Sequence, residues 1–328
     1  MREKGEKAAT DPMIREENSL PRALCKDNLL LSATQKIRNI TDIKFARNIF
    51  DIAYEKFWKG IQMNREKMRI GIAQISSGKD KRRNLEKLEK AVEGSSADVI
   101  VTPEYFMYNP YGDPREKVYE EAEDLDGSFA NAMKELSSRL GTSILATLFT
   151  KNPSSRKIYN EALLFSPSGE ISLRYRKAHL FDAYGYRESD FMDRGNEPSA
   201  IVEVKGSRIA AAICYDLRFP ELFRTYALMG AELVLVPSGW YRGDMKEEIL
   251  HILGRSRAHE NTIFLVIADQ YSDLFVGRSA VIGPMGEIIS DLGSGEKYRE
   301  VEIDLSEIQE AREKVPVLKQ RNPNVYKL

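Results

Sequence analysis

Residues 210–222 read AAAICYDLRFPEL. Ala210–Ile213 is short, apolar and uncharged, the pattern of a strand covered on both faces, and the run stops at Cys214. Pro220 suits the first turn of a helix, where its missing N–H is no loss, and a helix is expected over Pro220–Met229. The chain therefore turns from strand to helix around Cys214. Backbone N–H groups at such an elbow are unpaired, so they lower a thiol pKa or hold a developing anion. Taken alone, Cys214 reads first as a small buried hydrophobe.

Outward from this elbow the alternation repeats. Strands are expected at Arg69–Ile75, Val99–Thr102, Ser143–Thr150, Tyr159–Phe165, Ile171–Tyr175, Arg208–Cys214, Leu233–Pro237, Ile263–Ala268, Gly277–Ile282 and Arg299–Ile303. The clearest helices are Asn84–Glu93, Ser128–Leu140, Pro220–Met229 and Lys246–Asn261, the last interrupted only by Gly254. SPSGE (166–170) and GPMGE (283–287) each join two strand runs as hairpin turns do. βαβ alternation mixed with hairpins predicts an α/β fold of sheet layers covered by helices, with sheets that are not purely parallel.

Two further segments can carry chemistry. In VIVTPEYFMYNPYG (99–112) a strand ends at Pro103 and Glu104 beside Tyr105, Phe106, Tyr108 and Tyr111. A carboxylate among aromatic walls has its pKa raised by desolvation, as a general base near neutral pH requires, though a solvated loop glutamate fits the same letters. In LRYRKAHLFDAYGYRESD (173–190), Lys177 and His179 share one side if the stretch stays extended. An ammonium aimed at a reacting carbonyl oxygen is a strong stabiliser in a dry site; RYRK is otherwise a solvated basic edge. Glu188 is placed to neutralise and orient that lysine, or else to pair with Arg187 or Arg194 on the surface.

A chain of 328 residues with 42% apolar content can bury one large core plus an appendage. Its 49 basic and 50 acidic residues nearly cancel, leaving no field to draw nucleic acid or anionic lipid. The two cysteines, Cys25 and Cys214, lack metal-like spacing and suit a reducing cytoplasm. The charged start, MREKGEK, and the short apolar run Leu29–Leu31 make neither a signal peptide nor a membrane span. Residues 1–67 form a distinct extension, polar at first, then carrying Ile43, Ala46, Phe50, Ala53 and Phe57 on one helical stripe that stops near Gly60. Met68 opens the first strand and is itself a candidate start of the catalytic unit, residues 68–328, with a tail from about 305.

Taken in order, PEYF, RYRKAHLFD and ICYDLRFPEL resemble the nitrilase superfamily of carbon–nitrogen hydrolases, whose members use a Glu-Lys-Cys triad. The similarity runs from Met68 to the end through MRIGIAQI, RSRAHENT, GRSAVIGPMGEII and PVLKQRNPNVY, and is nearest the branch of omega-amidases and deaminated-glutathione amidases. The resemblance implies a four-layer αββα sandwich, a homodimer or higher homo-oligomer paired through helices, no metal or organic cofactor, and hydrolysis of a linear, non-peptide amide. Carried over by position, Glu104 is the base, Lys177 the oxyanion lysine, Cys214 the nucleophile and Glu188 an additional active-site glutamate, with the backbone N–H of Tyr215 as second oxyanion donor. The segment PSGWYRGDMKEEIL (237–250) departs from the branch, where a small residue and phenylalanine precede a GPAHW-like stretch. That puts the substrate in doubt, and Tyr105, Tyr111, Arg218, Trp240, Tyr241 and Arg242 are the candidate substrate contacts. Arg218 is a candidate carboxylate anchor, or a structural partner of Asp216 or Glu221.

Other readings stay open on sequence alone. A Cys–His hydrolase would have to use His179, because His251 and His259 belong to a helix and their spacing fits no common two-histidine metal motif. An N-carbamoyl amino acid hydrolase, a nitrilase proper and a non-catalytic scaffold are the remaining alternatives.

Overall fold

In a computed structural model, residues 67–326 are described; the helix expected over Ile43–Phe57 lies outside them. Two six-stranded sheets carry the fold. The first contains β1 (Lys67–Gln74), β2 (Val99–Val101), β3 (Ser143–Asn152), β4 (Lys157–Phe165), β5 (Ile171–Arg176) and β14 (Lys297–Asp304), in the order β14-β1-β2-β3-β4-β5. The second contains β8 (Val202–Val204), β9 (Ser207–Ala211), β10 (Leu233–Ser238), β11 (Phe264–Asp269), β12 (Ala280–Ile282) and β13 (Ile288–Asp291), in the order β13-β12-β11-β10-β9-β8. Each sheet has a parallel centre, β1-β2-β3 or β9-β10-β11, flanked by antiparallel strands. A two-stranded hairpin, β6 (Asp182–Ala183) with β7 (Tyr186–Arg187), stands apart from both.

The period of two along each strand decides what lies between the sheets. Met68, Ile70 and Ile72 of β1, Val99 and Val101 of β2, and Leu173 and Tyr175 of β5 join the core that also holds β9–β12. The alternate residues, Ala73, Ile100, Ile144, Leu163 and Phe165, face outward. There they meet Leu88 of α1 (Lys81–Ala91) and Phe129, Met133 and Leu136 of α3 (Ser128–Leu140). On the far side α4 (Pro220–Leu228) and α5 (Lys246–Asn261) cover the second sheet through Phe223, Tyr226, Leu250 and Ala258. Helix, sheet, sheet, helix is the four-layer αββα arrangement. Gly254 lets α5 lie close, since a Cβ there would stand 2.8 Å from Ile282 Cδ1 and 2.9 Å from Ile267 Cδ1.

Two of the expected helices, Ser128–Leu140 and Lys246–Asn261, have the predicted limits. The helix expected over Asn84–Glu93 begins earlier, at Lys81, because the side chain of Asp80 caps it by accepting from Arg83 N at 3.1 Å. The sequence reading missed α2 (Arg115–Glu121), α6 (Glu307–Lys314), α7 (Val317–Gln320) and the short strands β6, β7 and β8, while the hairpin expected at GPMGE joins β12 to β13. Expected strand Arg208–Cys214 stops at Ala211, because Cys214 has φ +44° and opens a 3-10 turn, Cys214–Arg218, that no strand can include. No helix among the described residues is long and apolar enough to cross a membrane.

Candidate active site

The parallel strands deliver the site. Glu104 follows the C-terminal end of β2, Cys214 follows β9, and Gly239 follows β10, so these groups converge where parallel sheets commonly present ligand-binding loops. Lys177 follows β5, whose alternation sends Leu173 and Tyr175 inward and continues inward at Lys177. Arg174 and Arg176 take the opposite face and both pair with Glu161 on β4, so only part of RYRK is the basic edge it resembles.

Glu104, Lys177 and Glu188 are buried and share one hydrogen-bonded group. The Lys177 ammonium donates to Glu104 Oε1 at 2.8 Å and to Glu188 Oε1 at 2.9 Å. Asn160 Nδ2 donates to Glu104 Oε1 at 2.8 Å, and the Gly239 N–H donates to Oε2 at 3.1 Å. The backbone of Glu104 is pinned as well: its N–H donates to Ser238 O at 3.2 Å, and its carbonyl accepts from Gln270 Nε2 at 2.7 Å. Glu188 is held by the Tyr105 hydroxyl and by Phe181 N–H, so it is no surface partner of Arg187 or Arg194.

Burial pushes the Glu104 pKa up; the Lys177 charge opposes this and the Glu188 charge adds to it. Burial also works against the Lys177 ammonium, but the two carboxylates outweigh it and hold its pKa well above the ordinary lysine value. The Cys214 thiol is raised well above its ordinary value by burial and by Glu104, with Lys177 pulling the other way. Such a thiol is no standing thiolate; it needs a base at the moment of attack.

Asp216 fixes the turn that carries Cys214. Its carboxylate accepts from Ile213 N at 2.8 Å, from the Tyr175 hydroxyl at 2.8 Å and from His179 N at 3.2 Å, and it bonds His179 Nδ1 at 2.7 Å. The His179 ring stacks on Phe219 at 3.6 Å. The expectation that His179 faces the same way as Lys177 is therefore corrected: β5 ends at Arg176, and the imidazole turns to Asp216 and lines no part of the thiol's cavity. His251 Nε2 lies 3.0 Å from the Arg278 carbonyl, and His259 is on the exposed side of α5.

A small cavity, about 340 Å³ of empty space with its mouth included, is lined by Glu104, Lys177 and Cys214 together. Tyr105, Tyr215, Arg218, Trp240 and Tyr241, all candidates from the sequence, also line it. Arg218 forms no ion pair with Asp216 or Glu221; its guanidinium lies over the Trp240 ring, 5.0 Å from the centre. Two expected contacts lie elsewhere. Tyr111 is 45% exposed and packs against Tyr186 and Tyr241 outside the cavity lining, and Arg242 turns outward to donate to Ser272 O and cover the Tyr271 ring. Phe181 and Lys246 line the cavity and were not singled out, although Lys246 belongs to the departing segment 237–250. Asn160 could have been noticed as a polar residue inside an apolar strand, KIYNEALLF. Among the described residues no cluster of three or more His, Cys, Asp or Glu side chains could hold a metal ion.

Residues 69–313 match the carbon-nitrogen hydrolase family, and the chain belongs to it. It is a carbon–nitrogen hydrolase of the nitrilase superfamily, similar to omega-amidases. Omega-amidase NIT2 of Danio rerio is 31% identical over 275 residues, covering 79% of this chain and 96% of that one. A deaminated glutathione amidase of Escherichia coli O157:H7 is 33% identical over 201 residues, covering 61% of this chain and 76% of that one. The crystal structure of Saccharomyces cerevisiae Nit3, a member of branch 10 of the nitrilase superfamily, superposes with a TM-score of 0.69 at 28% identity, covering 78% and 97% of the two chains.

Proposed function

We propose that this chain is an amidase that hydrolyses the linear amide of a small, carboxylate-bearing molecule through a Cys214 thioester, releasing ammonia. The observation that carries the reading is a single cavity lined by the Cys214 thiol, the Glu104 carboxylate and the Lys177 ammonium. Glu104 takes the thiol proton as sulfur attacks the amide carbon. Lys177 and the backbone N–H of Tyr215 stabilise the oxyanion, each such donor contributing on the order of 3 kcal/mol. The C–N bond then breaks, and Glu104 returns its proton to the departing nitrogen. A water enters, Glu104 takes one of its protons, hydroxide adds to the thioester, and the proton returns to sulfur as the acid leaves. Glu188 and Tyr105 keep Lys177 placed. Arg218, over Trp240 and without a carboxylate partner among the described residues, supports a carboxylate-bearing substrate.

Offering glutaramate, an N-carbamoyl amino acid and a small nitrile tests this, with ammonia assay and intact-mass measurement after an acid quench. Ammonia from glutaramate and an acyl mass on Cys214 are expected. Carbon dioxide with ammonia from the carbamoyl compound alone would replace this reading with the carbamoyl hydrolase, and no turnover of any amide would leave a scaffold.

A further inference from the structure

The cations of the cavity are not equivalent. Lys177 is matched by Glu104 and Glu188, whereas Arg218 and Lys246 line the same cavity with no carboxylate partner among the described residues. Aromatic rings hold them instead. The Arg218 guanidinium lies 5.0 Å from the Trp240 ring centre, and the Lys246 ammonium lies 3.9 Å from that of Tyr184. One indole reaches both: beneath Arg218 it offers its face, and its Nε1–H donates to the Lys246 carbonyl at 2.9 Å. Trp240 is itself fixed, 5% exposed, with its backbone N–H donating to Asp269 at 2.7 Å. Asp216 bonds Tyr175 and His179, and Glu247 pairs with Arg278. A ring face holds a cation without using up its N–H donors, so both groups keep donors for a ligand.

We propose that Trp240 brackets Arg218 and Lys246 into a two-cation reader for the far end of the substrate, so that the pocket prefers an amide whose remote end carries two negative charges over one that carries a single charge. This rests on the amidase reading above. Two cations without a carboxylate partner, both on the lining of one cavity, raise its potential, and a dianion relieves that more fully than a monoanion does. The guanidinium reads a planar carboxylate through paired hydrogen bonds, and the ammonium adds a point charge beside it. Lys246 is then a specificity residue.

Butyramide, 4-carboxybutyramide and 4,4-dicarboxybutyramide share a backbone and differ in charge by one step each. The native chain is expected to raise kcat/KM at each step, by about tenfold from the first carboxylate to the second, chiefly through KM. Lys246→Gln should bring the dicarboxylate-to-monocarboxylate ratio close to one, Lys246→Arg should keep most of it, and Trp240→Phe, which deletes the Nε1–H tie, should give an intermediate ratio. Circular dichroism checks that each variant is folded. A native chain that prefers the monocarboxylate, or a folded Lys246→Gln whose ratio equals the native one, overturns the two-cation reader while butyramide turnover keeps the amidase reading intact. Absence of turnover with all three amides sinks both.

Discussion

At the scale of single residues, the chemistry depends on burial working against Lys177. Desolvation raises the Glu104 pKa above the ordinary 4.5, and Lys177 only partly offsets it. On the proposed mechanism the ionised carboxylate is the base, so activity is expected above that raised pKa and is lost as pH falls through it. The acid limb of kcat/KM is therefore expected above pH 4.5, with an apparent value belonging to the hydrogen-bonded group as a whole. A limb at or below that pH would mean that Glu104 is not the desolvated base. Glu104→Gln removes the proton acceptor and should lower kcat by roughly 10²–10⁴-fold. Glu188→Gln leaves the base and nucleophile in place and removes one anchor of Lys177, so its loss should be smaller. Steady-state rates on glutaramate compare the two, and equal losses would make Glu188 more than a positioning group.

Elements explain why the site assembles. The turn after β9 gives Cys214 a left-handed backbone, and Asp216 ties that turn to the segment following Lys177. Asp216→Ala would strand the buried Ile213 N–H and Tyr175 hydroxyl, costing about 1–3 kcal/mol for each group left unsatisfied, with a parallel loss of kcat. Gly254→Ala pushes a methyl toward Ile282 and Ile267, and urea unfolding should show a loss of about 1–3 kcal/mol. A melting curve identical to the native one would mean that α5 can lift from its sheet without cost. These elements also mark how far the sequence could be read. Period-two alternation along the strands and the apolar run before Cys214 are local patterns, so the strands were legible, whereas Glu104, Lys177 and Cys214 stood out as a set only through the family resemblance. The His179–Asp216 tie, the Asn160 and Gln270 bonds to Glu104, and the pairing of Trp240 with Asp269 depend on how distant segments pack, which no window of sequence contains. Tyr111 and Arg242 misled for the same reason: their types suit a pocket, but their side chains leave it.

For the whole molecule, the outer surface of the second sheet bears on assembly. Ile252 on α5 is 53% exposed, and Met285 in the β12–β13 turn is 42% exposed. The turn lies against the same helix, where Arg255 Nε donates to Gly286 O at 2.7 Å. An apolar surface of this kind suits the homodimer that the family resemblance implies. Sedimentation at micromolar concentration is expected to give a dimer that Ile252→Asp or Met285→Asp dissociates. A native chain that sediments as a monomer would remove that expectation.

Glu104 and Lys177 follow strands of one six-stranded sheet, and Cys214 follows a strand of the other. On the proposed mechanism neither half can turn over an amide by itself. During recovery from denaturant, far-ultraviolet circular dichroism should return first, and ammonia production only when the two halves have closed on each other. The enzyme's own product thus serves as a clock for the last long-range step of its folding.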